Sequence, residues 1–237
     1  GHTYDQMMDA AGRGMGDIIL SLFGYEETKS ALGLVGPGNN GGDTLVALTH
    51  LAQSGWKTCA YLARERSDAD QRLKDYLDKG GEVVEFSTDP KYLHLDERLE
   101  TCSVLIDGVF GTGVKPPIHK NISELLSHVA QSPMLPYVVA VDCPSGVDCD
   151  TGEVYADCIP AEITVCMAAV KMGLVKFPAF NFVGDLETVD IGLSTGVKGW
   201  NKINLEVVDI EMVHALLPER KIDANKGTFG TAFIVAG

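Results

Sequence analysis

Apolar positions along the chain follow two alternating periods. Near the start, Met7, Met8, Ala11, Met15, Ile18, Ile19 and Leu22 share one stripe at helical spacing. Thr3-Tyr-Asp-Gln6 ahead of them is a capping-box signature, so a helix is expected from an N-cap at Thr3 to about Phe23. Its methionines suit core packing or a subunit contact. Gly12, Gly14 and Gly16 weaken that helix and imply close approach by another element. Short apolar runs of strand length then recur at Ala31–Val35, Lys57–Leu62, Glu82–Phe86, Ser103–Ile106, Tyr137–Val141, Ile163–Met167 and Asp185–Ile191, the last expected near a sheet edge. Helical stretches separate them at Thr44–Gln53, Asp68–Lys79, Lys91–Glu100 and Ile122–Ala130. This alternation predicts the α/β class: a three-layer α-β-α sandwich around a mostly parallel sheet.

Right-handed crossovers place every strand C-terminus on one edge of such a sheet, and ligands bind there where strand order reverses. Three polar loops follow predicted strands: Gly36–Asp43, Asp107–Pro117 and Asp142–Ser145. The first, Gly36-Pro-Gly-Asn-Asn-Gly-Gly-Asp43, lies between a strand and a helix, an arrangement that aims backbone N–H groups and a positive helix end at an anion. Asp107 and Asp142 bring two carboxylates to the same rim.

Composition narrows the partners. A net charge of −14 over 237 residues argues against nucleic acid and anionic membrane surfaces. No apolar run reaches the ~18–20 residues of a membrane-spanning helix, and no signal-like start is evident, so a cytoplasmic protein is expected. Six cysteines sit mostly within apolar runs and read as reduced, buried thiols; Cys143, Cys149, Cys158 and Cys166 lack zinc-site spacing. Val207–Leu217 reads as a strand end and a short helix, Pro218–Lys226 as a polar connection, and Gly227–Gly237 as a new apolar strand. The expectation is a domain over residues 1–217, then a linker and the truncated start of another domain over 218–237.

Several chemistries remain at this stage. Gly36, Gly38 and Gly41 satisfy G-x-G-x-x-G after a strand, which admits a Rossmann-like dinucleotide site, although the acidic partner would be Glu65 in a loose alignment. That leaves a conventional NAD-binding oxidoreductase open, beside a non-catalytic protein-binding or dimerisation module. A P-loop is excluded because no Gly-Lys-Ser/Thr follows, and Ser145 is no nucleophile elbow. The histidines are scattered, His50 and His128 on helices, and read as surface or satisfied residues.

Taken together, Gly36–Asp43, Asp107-Gly-Val-Phe-Gly-Thr-Gly113 and Val141-Asp-Cys-Pro-Ser-Gly146 resemble the NAD(P)H-hydrate epimerase family, the YjeF N-terminal domain. Met7–Gly12 is similar to the family's opening helix, and the resemblance covers about residues 3–217. Lys226-Gly-Thr-Phe-Gly230 is similar to the opening of an ADP- or ATP-dependent NAD(P)H-hydrate dehydratase domain, often fused in cis. The resemblance implies a Rossmann-like fold and interconversion of the R and S forms of NADHX and NADPHX. It implies a substrate site of Asn39, Asn40, Gly41, Gly42, Asp43, Gly111, Thr112, Gly113, Val114, Lys115, Pro116, Pro117 and Asp142. It also implies a potassium ion (K+) held by Asn40, Asp107 and Ser145, whose oxygen atoms suit a hard cation. Asp142 is the expected general acid/base, Lys171 could reach the rim, and a homodimer is the expected assembly. Thr44 departs from the glycine that often follows the Asp in this family, and Lys115-Pro-Pro117 gives the second loop its own shape.

Overall fold

The computed structural model describes residues 2–25, 28–67, 69–155, 157–194, 196–197, 199–225 and 227–235. It divides into two compact units, 1–197 and 198–237.

Seven strands form one sheet in the first unit: β1 (Ser30–Val35), β2 (Lys57–Leu62), β3 (Glu82–Glu85), β4 (Val104–Gly108), β5 (Tyr137–Val141), β6 (Ile163–Met167) and β7 (Asp185–Val189). Their order is β3-β2-β1-β4-β5-β6-β7, and every pairing is parallel. Five helices cover it: α1 (Tyr4–Phe23), α2 (Asn39–Gln53), α3 (Gln71–Asp78), α4 (Leu93–Thr101) and α5 (Lys120–Ala130). The expected start of α3 at Asp68 lies outside the described residues; Asp70 caps the helix by accepting from Arg72 N at 3.0 Å.

Side-chain alternation in the strands sorts the core into two layers. Ala31 and Val35 of β1 join Met15 and Ile19 of α1, Leu45, Leu48 and Leu51 of α2, and Tyr76 of α3. Leu32 and Leu34 point the other way, onto Leu95 and Leu99 of α4 and Leu125, Leu126 and Val129 of α5. Both faces are therefore buried, as an all-parallel sheet requires.

The capping box at Thr3 is present in both directions: Thr3 N donates to Gln6 Oε1 at 2.8 Å, and Gln6 N donates to Thr3 Oγ1 at 3.3 Å. The helix glycines are contact points. A Cβ on Gly12 would lie 2.6 Å from Asp43 O, and one on Gly16 would lie 2.7 Å from His50 Cδ2. Backbone-close packing of α1 on α2 thus depends on these residues lacking side chains. Met15 is fully buried and Met8 packs against Gly42, so this part of the methionine stripe serves the core.

The strand order places the topological switch between β1 and β4. The chain leaves β1 towards β2 on one side and returns through β4 on the other. The loops after β1 and β4 consequently diverge and leave a crevice, where open α/β sheets bind ligands.

The second unit contains α6 (Ile210–Leu216), capped by Asp209, which accepts from Met212 N at 2.7 Å. No strand forms over 203–209 or 227–235. No helix among the described residues is long and apolar enough to cross a membrane.

Candidate functional site

Helix α2 begins inside the glycine run, with Gly38 as its N-cap, and not at Thr44 as the propensities suggested. Propensity disfavours helical glycine, but tertiary packing outweighs it here. Gly41 sits against Gly36 O, where a side chain would collide, and a Cβ on Gly42 would lie 2.8 Å from Met8 Sδ. Thr44 is in the second turn; its Oγ1 donates to Asn40 O at 2.7 Å. Gly36 closes the switch point. Its N–H donates to Gly108 O at 3.1 Å, and a Cβ there would overlap Val109 O.

Asn40 ties three strand ends together. Its Nδ2 donates to Phe110 O at 3.0 Å and to Val141 O at 2.5 Å, linking the start of α2 to the loop after β4 and the end of β5. Asp107, at the end of β4, is wholly buried. It accepts from Ser145 N at 2.8 Å and from Ser145 Oγ at 2.6 Å, while Ser145 Oγ accepts from Phe110 N at 2.9 Å. Burial pushes the Asp107 carboxyl upward in pKa, against the opposing effect of these hydrogen bonds.

The three residues expected to hold potassium are therefore joined through shared neighbours. Their donors are a carboxylate, a hydroxyl and an amide, and no described basic side chain pairs with Asp107. A buried carboxylate with only neutral partners, in an oxygen-rich setting, fits a hard monovalent cation.

Asp142 occupies the left-handed region, with φ 66°. That conformation favours glycine but is tolerated by Asp and Asn; here it turns the chain immediately after β5. Asp142 N donates to Val165 O at 2.8 Å. Its Oδ1 accepts from Met167 N at 2.9 Å and is in contact with Lys171 Nζ, which also donates to Met167 O at 2.8 Å. Among the described residues, Oδ2 has no hydrogen-bond partner. One carboxylate oxygen is fixed and the other is unpaired among the described residues.

Asp43 lies in the first turns of α2, buried and close enough to Asp142 to feel its charge. Burial first, and the Asp142 carboxylate second, push its pKa to about 7, with Arg72 acting in the opposite direction. Arg72 itself bridges to Asp9 of α1 at 2.7 Å.

A cleft of about 440 Å³ opens at the switch point, lined by Pro37–Asn40, Arg64, Val109–Lys115, Pro117–His119 and Ile122. It brings together Asn39, Asn40, Gly111, Thr112, Gly113, Val114, Lys115 and Pro117 of the expected substrate site. Gly41, Gly42, Asp43, Pro116 and Asp142 lie outside its lining. A larger cleft, about 810 Å³, opens at the opposite sheet edge beside Ser30, Lys57 and Glu82. It contains none of the rim residues, and helices end there instead of beginning, so the smaller cleft is the one at the topological switch point.

Two side chains gain importance from the structure. Lys171 reaches Asp142 from an irregular segment after β6, beyond Ala168 in the left-handed region (φ 65°). Arg66, after β2, donates to Gly36 O and holds Asp70 at 2.6 Å, pinning its loop to the glycine turn. The sequence signal for it was two arginines at a strand end beside a glycine loop. Two of the histidines are satisfied: His50 faces Asp17 and His128 faces Asp96, each at 2.7 Å. All six cysteines are free, five of them buried.

A family model described as YjeF-related protein N-terminus matches residues 4–173. A bifunctional NAD(P)H-hydrate repair enzyme Nnr of Thermofilum pendens is 31% identical over 234 residues, covering 98% of this chain and 43% of that protein. An NAD(P)H-hydrate epimerase of Rhodopirellula baltica is 29% identical over 197 residues, covering 79% of this chain and 75% of that protein. The chain thus spans less than half the length of the first of these relatives. A yeast protein of known structure (ynu0, YNL200c) shares the fold, with a TM-score of 0.65 at 22% identity over 79% of each chain.

Proposed function

The chain belongs to the YjeF-related N-terminus family, and on that basis we propose that it is an NAD(P)H-hydrate epimerase, interconverting the R and S forms of hydrated NADH and NADPH. The printed names of the Thermofilum and Rhodopirellula relatives support the reading. Within this chain, the half-held carboxylate of Asp142 carries it: Oδ1 is fixed by Met167 N and Lys171, and Oδ2 has no hydrogen-bond partner among the described residues.

The hydrate bears a hydroxyl on the ring carbon beside the ring nitrogen. In the proposed reaction the nitrogen lone pair forms a C=N bond as the C–O bond breaks. The hydroxyl takes one proton and departs as water. Water then adds to the opposite face and gives up one proton, so one water and one proton are exchanged with no net change. Asp142 Oδ2 gives and takes that proton. Lys171 positions the carboxylate. Asp43, with its pKa at about 7, is the neighbouring carboxyl that still carries a proton near neutrality. Asn40, Asp107 and Ser145 would hold the potassium ion, which when bound supplies positive charge near a phosphate-bearing substrate in an acidic protein.

In the whole protein a dehydratase activity that consumes the S form completes the proposed repair. The experiment is to supply R-NADHX in ¹⁸O-labelled water and follow the S form by chromatography and mass spectrometry. The proposal expects conversion above the spontaneous rate, with label in the product. Absence of any acceleration would overturn the function; acceleration without label would replace C–O cleavage by opening of the ring C–N bond.

A further inference from the structure

We propose that Arg64, supported by Ser67, is a binding site for the 2′-phosphate of the substrate's adenosine ribose, so that the enzyme favours NADPHX over NADHX. The inference rests on the epimerase reading and concerns the far end of the same substrate.

The position of these residues comes from the sheet. Val35 of β1 pairs with Leu62 of β2, and Ala63 N donates to Val35 O at 3.0 Å. Arg64 therefore leaves the sheet edge beside Gly36 and Pro37. In doubly wound nucleotide-binding sheets the residues at the end of this second strand meet the adenosine ribose: an acidic side chain accepts from the 2′-hydroxyl, while an arginine accommodates a 2′-phosphate. This chain has Arg64-Glu65-Arg66-Ser67 there.

Geometry separates their roles. Arg66 is committed to Gly36 O and Asp70, so it braces the loop. Arg64 lines the 440 Å³ cleft together with Gly38, Asn39 and Lys115, and also a shallow outer hollow with Glu65, Arg66 and Ser67. Glu65 lines only the outer hollow. Among the described residues Arg64 makes no ion pair or hydrogen bond. Among the described residues no acidic side chain lines the cleft, whose charged residues are Arg64 and Lys115, although the chain carries a net charge of −14. A basic cleft in so acidic a protein points to an anionic ligand group.

The spacing also agrees. Asp142 follows β5 and Arg64 follows β2, and these strands are three places apart in the sheet. At about 4.8 Å per strand the separation along the rim is about 14 Å, which an extended dinucleotide bridges. With the reacting ring at Asp142, the adenosine end falls at Arg64.

The test measures equilibrium binding of adenosine 2′,5′-bisphosphate and of 5′-AMP, and kcat/KM for NADPHX and NADHX, in the wild type, Arg64→Gln, Arg64→Lys and Ser67→Ala. The wild type is expected to bind the bisphosphate about 10- to 100-fold more tightly than AMP, the range of a charge-assisted contact. Arg64→Gln should erase most of that ratio, Arg64→Lys should retain part of it, and Ser67→Ala should reduce it less. The NADPHX/NADHX ratio of kcat/KM should fall in parallel. Equal binding of the two nucleotides, or a preference that survives Arg64→Gln, overturns the proposal. If the nucleotide preference depends on Arg64 but neither hydrate is epimerised, the phosphate site stands and the epimerase reading fails. If both hydrates are epimerised at a ratio unmoved by Arg64→Gln, the epimerase reading stands and this site falls.

Discussion

Lys171 Nζ rests against Asp142 Oδ1, the oxygen that also accepts from Met167 N, while Oδ2 of this buried residue has no hydrogen-bond partner among the described residues. The two residues lie on different segments, one at the end of β5 and the other in the irregular chain after β6. Their meeting fixes a carboxylate whose backbone is already held in the left-handed region. Lys171→Met should lower kcat about 10-fold or more, with a smaller change in KM, and Lys171→Arg should restore part of it. Equal kcat in the wild type and Lys171→Met would remove the positioning role.

Asp43 gives the site a pH signature in stability. Its folded-state pKa, raised to about 7, exceeds the ordinary value of 3.8. The folded protein therefore binds more protons than the unfolded chain between those values. The contribution is fully present below about pH 4 and is lost as pH rises towards 7. The loss is on the order of 4 kcal/mol at 1.36 kcal/mol per pKa unit. Asp43→Asn should flatten this part of the profile, read as the difference in urea midpoints between wild type and variant from pH 4 to 8. Parallel profiles would contradict the burial argument.

Gly12 is a point of close approach between α1 and α2. A methyl group there meets Asp43 O at 2.6 Å, and backbone cannot yield as a flexible side chain does. Gly12→Ala should destabilise the fold by about 1–3 kcal/mol despite the higher helix propensity of alanine, as measured by denaturant unfolding. A stabilised variant would show that the helices are not packed at this distance.

Ser145 both donates to Asp107 and accepts from Phe110 N. Ser145→Ala removes both bonds around a buried carboxylate and should cost about 1–3 kcal/mol. The proposed potassium site adds a second readout. Thermal midpoints in potassium chloride should exceed those in tetramethylammonium chloride of equal ionic strength for the wild type, and the difference should shrink in Ser145→Ala. Identical midpoints in the two salts would exclude stabilisation by potassium at this site.

Much of this architecture was legible in local signals. The Thr3–Gln6 capping box, the glycine contacts of the first helix and the seven strand runs each depend on short-range chemistry, and all are present. Sheet topology then gathered Asn40, Asp107 and Ser145, because parallel strands share a C-terminal edge. What escaped depended on tertiary contacts. The start of α2 is set by Gly41 and Gly42 packing against Gly36 and Met8, which overrides glycine's low helix propensity. Lys171 reaches Asp142 through an irregular segment whose path no periodicity reveals. Arg66 finds its role only once β2 is paired with β1. Among the described residues no strand forms over 227–235, where the apolar run suggested one.

The central claim, that this rim epimerises the hydrate through Asp142, is tested most directly by conversion of R-NADHX to the S form with wild type and Asp142→Asn. Asparagine tolerates the left-handed backbone, so the fold should survive, which unfolding curves would verify. The account predicts conversion well above the spontaneous rate in the wild type and about 100-fold or more slower turnover in the variant. Near-wild-type turnover by a folded Asp142→Asn protein would contradict it.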